Sequence, residues 1–501
     1  MDWLSVLWLC CYIPVVIGLS LFGLHRWSMV YLFWKNWRRP PVPAGKLEEL
    51  PLVTVQLPIF NELHVVRRLV ESVAKMDWPR EKLQIQILDD STDETQDICK
   101  EELARLLAEG FDAELIHRVD RTGFKAGALE HAMPRVKGDY IYILDADFVP
   151  PVDVLHRLVH FFSDPKVALV QSRWGHINRD YSLLTKIQAM FLDGHLVVEQ
   201  VARSRSGRFF NFNGTGGMWR KQAIVDGGGW EHDTLTEDLD LSYRVQMKGW
   251  QFIYLNDVVT PAELPVDMNG FKTQQFRWTK GSVQCCMKLF GKVWRSEEPW
   301  WRKLEATAHL CTNFAYLLLI FLCFLIWPGT DRGLTEWLGD ARLWLVDLPV
   351  FLLTAISVGL FYITGQIGAH PKGWVSKIIY LPGALALGIG LAVNSTRAIV
   401  EALMRKESPF VRTPKFGIEK KGDMQRTKAK YTSLKSIGVG VEVLLAIYFT
   451  LVTIYGIWEN RWLSVPFYLL FMFGFWYVVA GSLSQLFQTR NPESAGGTPA
   501  A

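Results

Sequence analysis

The chain has 501 residues, too many for one ordinary soluble core and enough for two or three units. Half of it is hydrophobic, with 21 Trp and 29 Phe, which fits a soluble domain joined to membrane helices better than either alone. The net charge of +4 gives no sign of a nucleic-acid partner, and the 7 cysteines form no C-x-x-C pair, which speaks against structural zinc and a disulfide framework.

In chain order, Trp3 to Leu24 is a long apolar run followed by His25, Arg26, Lys35, Arg38 and Arg39. A signal peptide carries its positive charge before the apolar run, so residues 1–45 read as a retained anchor. The positive-inside rule puts its N-terminus outside and residues 35 onward in the cytoplasm. Residues 46–300 hold no stretch of the about 20 apolar residues that a span requires.

That block alternates in type. The pattern predicts strands at Val53–Leu57, Gln84–Leu88, Ala113–Ile116, Tyr140–Leu144 and Val167–Gln171. Between and after them it predicts helices at His64–Met76, Thr95–Ala108, Lys125–Val136 and Val152–Phe162. Alternation of this kind means an α/β domain with a parallel sheet, whose ligands bind beyond the carboxyl ends of the strands. Neither G-x-G-x-x-G nor G-x-x-x-x-G-K-[ST] occurs, so carboxylates rather than a glycine cradle are expected to face a nucleotide.

Several clusters carry candidate chemistry, each with a plainer alternative. Asp145 and Asp147 follow a strand directly and could share a hard divalent cation, or could line a solvated turn. Asp89 and Asp90 also end a strand, where they could face a ligand or open the next helix. Thr236-Glu237-Asp238 could supply a general base, or only an acidic first turn favoured by the helix dipole. In Gln274-Gln-Phe-Arg277-Trp278, Arg277 suits a phosphate and Trp278 a sugar face, though such a pair also serves as an interfacial anchor. Phe209 to Gly217 places aromatics before glycines that would allow close backbone approach, or a tight hairpin.

Beyond residue 300, apolar segments at 306–327, 344–364, 437–458 and 463–486 are candidate spans. Residues 397–435 carry eleven Lys/Arg against four Asp/Glu, which argues for the cytoplasm. The stretch 376–399 would then start and end on that side, as an interfacial or re-entrant segment. That gives five spans with the C-terminus inside, against a rival count of six. Residues 301–488 thus form an α-helical membrane region, with a basic region at 400–435, and 489–501 read as a disordered tail.

The order D-D-S, K-A-G, D-x-D, F-F-x-x-x-G-T, T-E-D and Q-x-x-R-W, followed by membrane helices, strongly resembles the processive family 2 glycosyltransferases. Within that family it is most similar to the cellulose-synthase-like glucan and mannan synthases. Leu88-Asp-Asp-Ser-Thr-Asp93, Phe124-Lys-Ala-Gly-Ala-Leu129 and Gln274-Gln-x-Arg-Trp278 carry the likeness. Phe410-Val-Arg-Thr-Pro-Lys415 resembles the F-x-V-T-P-K gating loop of cellulose synthases, with Arg412 in place of Val.

The resemblance implies a GT-A-type nucleotide-sugar-binding domain with a mixed, mainly parallel sheet. It implies an integral membrane protein with a cytoplasmic catalytic domain, taking a nucleotide-sugar donor and a growing polysaccharide and passing the product through the lipid bilayer. Mg²⁺ or Mn²⁺ would sit at Asp145 and Asp147. Leu57, Pro58, Phe60, Glu62, Asp89, Asp90, Lys125, Gln274 and Arg277 would bind the donor. Asp238, supported by Glu237 and Thr236, would be the base. Trp278, Phe210, Phe212, Asn213, Gly214 and Thr215 would line the acceptor path, and Phe410, Arg412, Thr413, Pro414 and Lys415 would form the gating loop. UDP-glucose and a β-1,4-glucan are the first expectation, with GDP-mannose and a mannan or glucomannan as the alternative, and a non-processive glycolipid transferase behind them. A homo-oligomer or an export partner is left open.

Overall fold

The computed structural model describes residues 3–326, 339, 348–407, 411–419 and 438–490. Seven strands form one sheet: β1 (Val53–Ile59), β2 (Leu83–Asp89), β3 (Asp112–His117), β4 (Tyr140–Ile143), β5 (Val167–His176), β6 (Gly217–Arg220) and β7 (Gln251–Ala262). Their order is β3-β2-β1-β4-β6-β5-β7. All neighbours pair in parallel except β6, which runs antiparallel to both β4 and β5. The central strands are buried on both faces, as a helix-covered parallel sheet requires, and the buried polar side chains of β1 and β2 pair with each other, Thr54 with Gln84 and Gln56 with Gln86. The five expected strands are present; β6 and β7 complete the sheet, and β6 makes it mixed.

The strand order reverses between β1 and β4. At such a switch point the two carboxyl ends leave a crevice where ligands bind in open α/β sheets. Here Pro58 and Ile59 end β1, Asp89 ends β2, and Leu144 and Asp145 follow β4. The sheet therefore brings the two acidic clusters of the sequence to one rim.

Three helical regions frame that rim. The Glu237–Gln246 helix begins at the T-E-D motif. The Met268–Arg295 helix carries Gln274, Arg277 and Trp278 and is capped by the Asp267 carboxylate, which accepts from the Gly270 amide at 2.6 Å. Apolar helices then pack beneath it, with Met268 and Phe271 buried against Ala384, Leu387 and Val478.

Five described helices are long and apolar enough to cross a membrane: Val6–Asn36, Leu348–Ala369, Trp374–Leu403, Val439–Trp458 and Val465–Ser484. The set differs in membership from the one read off the sequence. Over its described residues the expected span at 306–327 is two helices, Trp300–Leu310 and Phe314–Leu325, bent by 57° at the polar Thr312-Asn313 step; taken together they are long and apolar enough to count as a sixth, which is the rival count. Trp374–Leu403, expected to lie at the interface, is long and apolar enough to span.

Candidate active site

One cleft at the β1/β4 rim is lined by most of the residues that the sequence singles out. Pro58, Phe60, Glu62, Asp90, Lys125, Asp145 and Asp147 face it from the sheet side. Asn213, Gly214, Thr236, Glu237, Asp238, Gln274, Arg277 and Trp278 face it from the other, and Arg412, Thr413 and Lys415 from above.

The segment Phe212–Thr215 ties these groups together. The Phe212 amide donates to Ser242 Oγ at 2.8 Å, and Ser242 donates on to the Asp238 carbonyl at 2.5 Å. Gly214 offers its carbonyl to Lys125 Nζ at 2.8 Å, and Thr215 Oγ1 accepts the Asp145 amide at 2.8 Å. Gly214 has φ +80°, and a Cβ there would lie 3.1 Å from Asp238 Oδ2. Only glycine gives both that backbone and that approach cheaply.

Charges alternate across the cleft. Lys125 pairs with Asp145. Burial, with the Glu237 charge behind it, raises the Asp238 carboxyl to about 7. Burial also raises Glu237, opposed by Lys125. Arg277 is pulled below its usual range by burial, with Glu237 and Asp145 pulling the other way. Glu62 is raised to about 8 by burial, although Arg412 opposes this. A carboxyl poised near neutrality suits a base that must both take and release a proton.

Arg412, Thr413 and Lys415, expected to belong to a gating loop, reach into the same cleft. The Arg412 guanidinium lies 2.9 Å from each Glu62 oxygen and also bonds the Asn61 carbonyl. Lys415 Nζ is 2.8 Å from Asp147 Oδ2 and 2.5 Å from the Glu263 carbonyl. The Phe416 and Gly417 amides donate to the Glu263 carboxylate at 3.1 and 3.0 Å. Asp145 and Asp147 thus offer only hard oxygen donors, each met here by an ammonium, and that donor set fits a divalent cation. Phe410 lies outside the described residues.

Some expected residues do other work. Leu57, Phe210 and Phe212, expected to bind donor and acceptor, have side chains buried in the core and do not line the cleft. Their apolar side chains gain more from Trp219 and the sheet than from a wet pocket. Asp89 faces away: Ser91 N donates to one oxygen at 2.9 Å, and His117 Nδ1 holds the other at 2.9 Å. Asp90 takes the place at the wall. Thr215 is fully buried and supports Asp145, and Pro414 does not line the cleft.

Other cleft residues escape the sequence reading. Glu263 anchors the loop, and its signal was an acid directly after a strand. Arg121 stacks on Phe60 at 3.2 Å from the ring centroid. Asn213 Nδ2 and Thr413 Oγ1 are buried without a hydrogen-bond partner among the described residues. A separate acidic trio, Glu231, Asp233 and Asp240, already encloses Lys288 Nζ at 2.6, 2.6 and 3.0 Å.

Residues 51–281 match the family model described as "Glycosyltransferase like family 2". Among curated proteins, glucomannan 4-beta-mannosyltransferase 7 of Arabidopsis thaliana is 37% identical over 323 residues, covering 60% of this chain and 58% of that protein. Glucomannan 4-beta-mannosyltransferase 2 of the same plant is 37% identical, covering 64% of this chain and 63% of that protein. The chain therefore spans less than two thirds of the length of these relatives. A mannosyltransferase from Pyrobaculum calidifontis, solved with GDP-mannose and Mn²⁺, superposes with a TM-score of 0.51 at 22% identity, covering 79% of this chain and 99% of that one. With its switch-point cleft and its ordered acidic motifs, the chain carries a glycosyltransferase family 2 domain of GT-A-like fold over residues 51–281.

Proposed function

We propose that the protein is an inverting mannosyltransferase that takes GDP-mannose and extends a β-1,4-linked mannan or glucomannan. The observation that carries the chemistry is the Asp238 carboxyl, set beside Lys125, Gly214 and Arg277 at the mouth of a charged cleft. The names of the plant relatives favour mannose over the glucose that the sequence alone suggested first, and the mannosyltransferase that superposes was solved with GDP-mannose.

In this reading Asp238 accepts the proton of the acceptor hydroxyl as its oxygen attacks the anomeric carbon. The bond from that carbon to the diphosphate oxygen breaks, and the electron pair leaves with GDP. Attack opposite the leaving group turns an α-linked donor into a β-linked product. Lys125 and Arg277 face the charge that grows on the diphosphate. Asp145 and Asp147 would hold Mg²⁺ or Mn²⁺, which when bound would supply further neutralisation of that charge. Trp278 offers a face to the acceptor sugar.

The catalytic domain would lie in the cytoplasm, with the apolar helices passing the product across the bilayer. A polar chain needs such a lined route, because hydrocarbon offers it no hydrogen bonds.

The test is nucleoside diphosphate release by the full chain in nanodiscs, with Mn²⁺ or Mg²⁺ and each of GDP-mannose, UDP-glucose and UDP-N-acetylglucosamine. GDP release with a polymeric product, lowered about 100-fold or more by Asp238→Asn, is expected. Turnover of UDP-glucose alone would replace mannan with glucan. Release that survives Asp238→Asn would remove the base assignment.

A further inference from the structure

A chain of buried charges runs from the first apolar helix to the wall of the cleft. His25, on the Trp3–Asn36 helix, sets its Nε2 3.1 Å from both Glu305 oxygens. Arg203 Nε donates to Glu305 Oε1 at 2.9 Å, and its Nη1 donates to Glu199 Oε2 at 3.0 Å. The same Glu199 oxygen lies 2.9 Å from His195 Nδ1. At the cleft end, Asn213 Oδ1 accepts from Gln200 Nε2 at 2.8 Å and from Asn211 Nδ2 at 3.0 Å, with His195 Nε2 3.4 Å away. Gln200 Nε2 also donates to the Asn211 carbonyl at 3.0 Å, which leaves the Gln200 and Asn213 amides one orientation each.

Side chains that share a face of an α-helix are three or four residues apart, so His195 and Gln200, five apart, would diverge on one. Residues Gly194–Glu199 form a π-turn instead. Its wider turn, bonded between residues five apart, brings both side chains to the same Asn213 oxygen. Stability gives no reason for the charges behind them, since apolar packing in place of a buried ion network is often neutral or stabilising. A fixed position does give one. Lys125 Nζ donates to the Gly214 carbonyl at 2.8 Å, and a Cβ on Gly214 would lie 3.1 Å from Asp238 Oδ2, so the Asn213–Gly214 turn touches both groups. We infer that His25, Glu305, Arg203, Glu199, His195 and Gln200 form a positioning network, through which the N-terminal helix fixes that turn and so holds Lys125 against Asp238. This rests on the reading of Lys125 and Asp238 as reacting groups. None of the six lines the cleft, so each acts through Asn213.

The experiment measures amide hydrogen exchange, and turnover per folded molecule with Mn²⁺ and each of GDP-mannose, UDP-glucose and UDP-N-acetylglucosamine, on the full chain in nanodiscs. His25→Leu breaks the far end of the network. His25→Gln keeps it, because its amide nitrogen takes the place of the ring Nε2. Gln200→Leu removes the hold on Asn213 directly. The Phe212 and Asn213 amides donate to Ser242 Oγ and Gln171 Oε1, and they report on the turn. In His25→Leu and Gln200→Leu their exchange should quicken about 10-fold, as loss of one hydrogen bond allows. In the same two variants kcat should fall about 10- to 100-fold with the donor KM little changed, as a displacement of up to about 1 Å allows. His25→Gln should keep both near wild type. Glu305→Gln, which keeps size and shape, repeats the test where a variant fails to fold. Unchanged exchange in His25→Leu overturns the coupling to the N-terminal helix. Quickened exchange with unchanged turnover makes the network structural only, and the inference falls while Lys125 and Asp238 keep their roles. An equal loss of kcat in His25→Gln and His25→Leu also overturns it. If wild-type protein turns over none of the donors, the transferase reading and this inference fall together.

Discussion

Asp238 and Glu237 are adjacent carboxyls with different surroundings, and the difference makes a testable pH profile. Asp238 can act as a base only when ionised, and its carboxyl is raised to about 7, first by burial and then by the Glu237 charge. As pH falls through that value the ionised fraction shrinks, so kcat/KM should fall on the acid side of about 7. Glu237→Gln removes a negative neighbour, which makes ionisation of Asp238 easier and lowers its pKa. The acid limb should therefore move to lower pH in that variant. A limb that stays in place would mean that another group sets it.

At the scale of elements, the site depends on how closely the Met268–Arg295 helix approaches the T-E-D motif. A Cβ on Gly281 would lie 2.6 to 2.9 Å from Thr236, including its backbone nitrogen. One turn on, Gln284 Oε1 accepts the Leu235 amide at 2.9 Å. Gly281→Ala should push Thr236 and Asp238 away from Arg277, lowering kcat by more than the loss of folded protein explains; turnover per folded molecule measures this. The segment 411–419 gives a second case. Arg412→Val, which restores the residue of the cellulose synthase pattern, removes the Glu62 contact. Hydrogen exchange at the Phe416 and Gly417 amides should then quicken about 10- to 100-fold, as expected for the loss of a charged hydrogen bond. Unchanged exchange would show that Lys415 and Glu263 hold the loop alone.

These elements also show what the sequence could carry. Strands ending in acids were legible because a strand has a short local period and the acids follow it at once. Strand β6 was not, because four residues that follow a glycine-rich turn gain their place from β4 and β5, far away in the chain. Phe210 and Phe212 misled because an aromatic run reads alike whether it lines a cleft or fills a core. Asp89 and Asp90 could not be told apart, since one residue of register decides which carboxyl faces the ligand. Arg121 carried no signal, because its partner Phe60 lies across the sheet.

At the scale of the whole molecule, apolar helices hold the helix that carries Gln274, Arg277 and Trp278 to the cleft. Lys272 and Lys280 bracket Gln274 to Trp278. Lys272 Nζ donates to Glu442 Oε1 at 2.6 Å on the Val439–Trp458 helix, and the Lys272 carbonyl accepts from Asn394 Nδ2 at 2.9 Å. Lys280 Nζ reaches Glu401 Oε2 at 3.3 Å and the Lys406 carbonyl at 2.7 Å. The Lys272–Glu442 pair is almost wholly buried, with side chains 4% and 0% exposed. Breaking such a pair from one side strands a charge and costs about 3–5 kcal/mol, whereas replacing both partners by apolar residues can cost nothing. Glu442→Ala should therefore lower the unfolding temperature in nanodiscs, and Lys272→Met combined with Glu442→Leu should restore it. Turnover separates the two roles of the pair. If it only holds the helices together, the double variant recovers activity along with stability. If its directional bond also sets the angle of the helix under Arg277 and Trp278, stability returns and kcat stays low; the geometry favours this second outcome, because Lys272 lies only five residues before Arg277 on the same rigid helix.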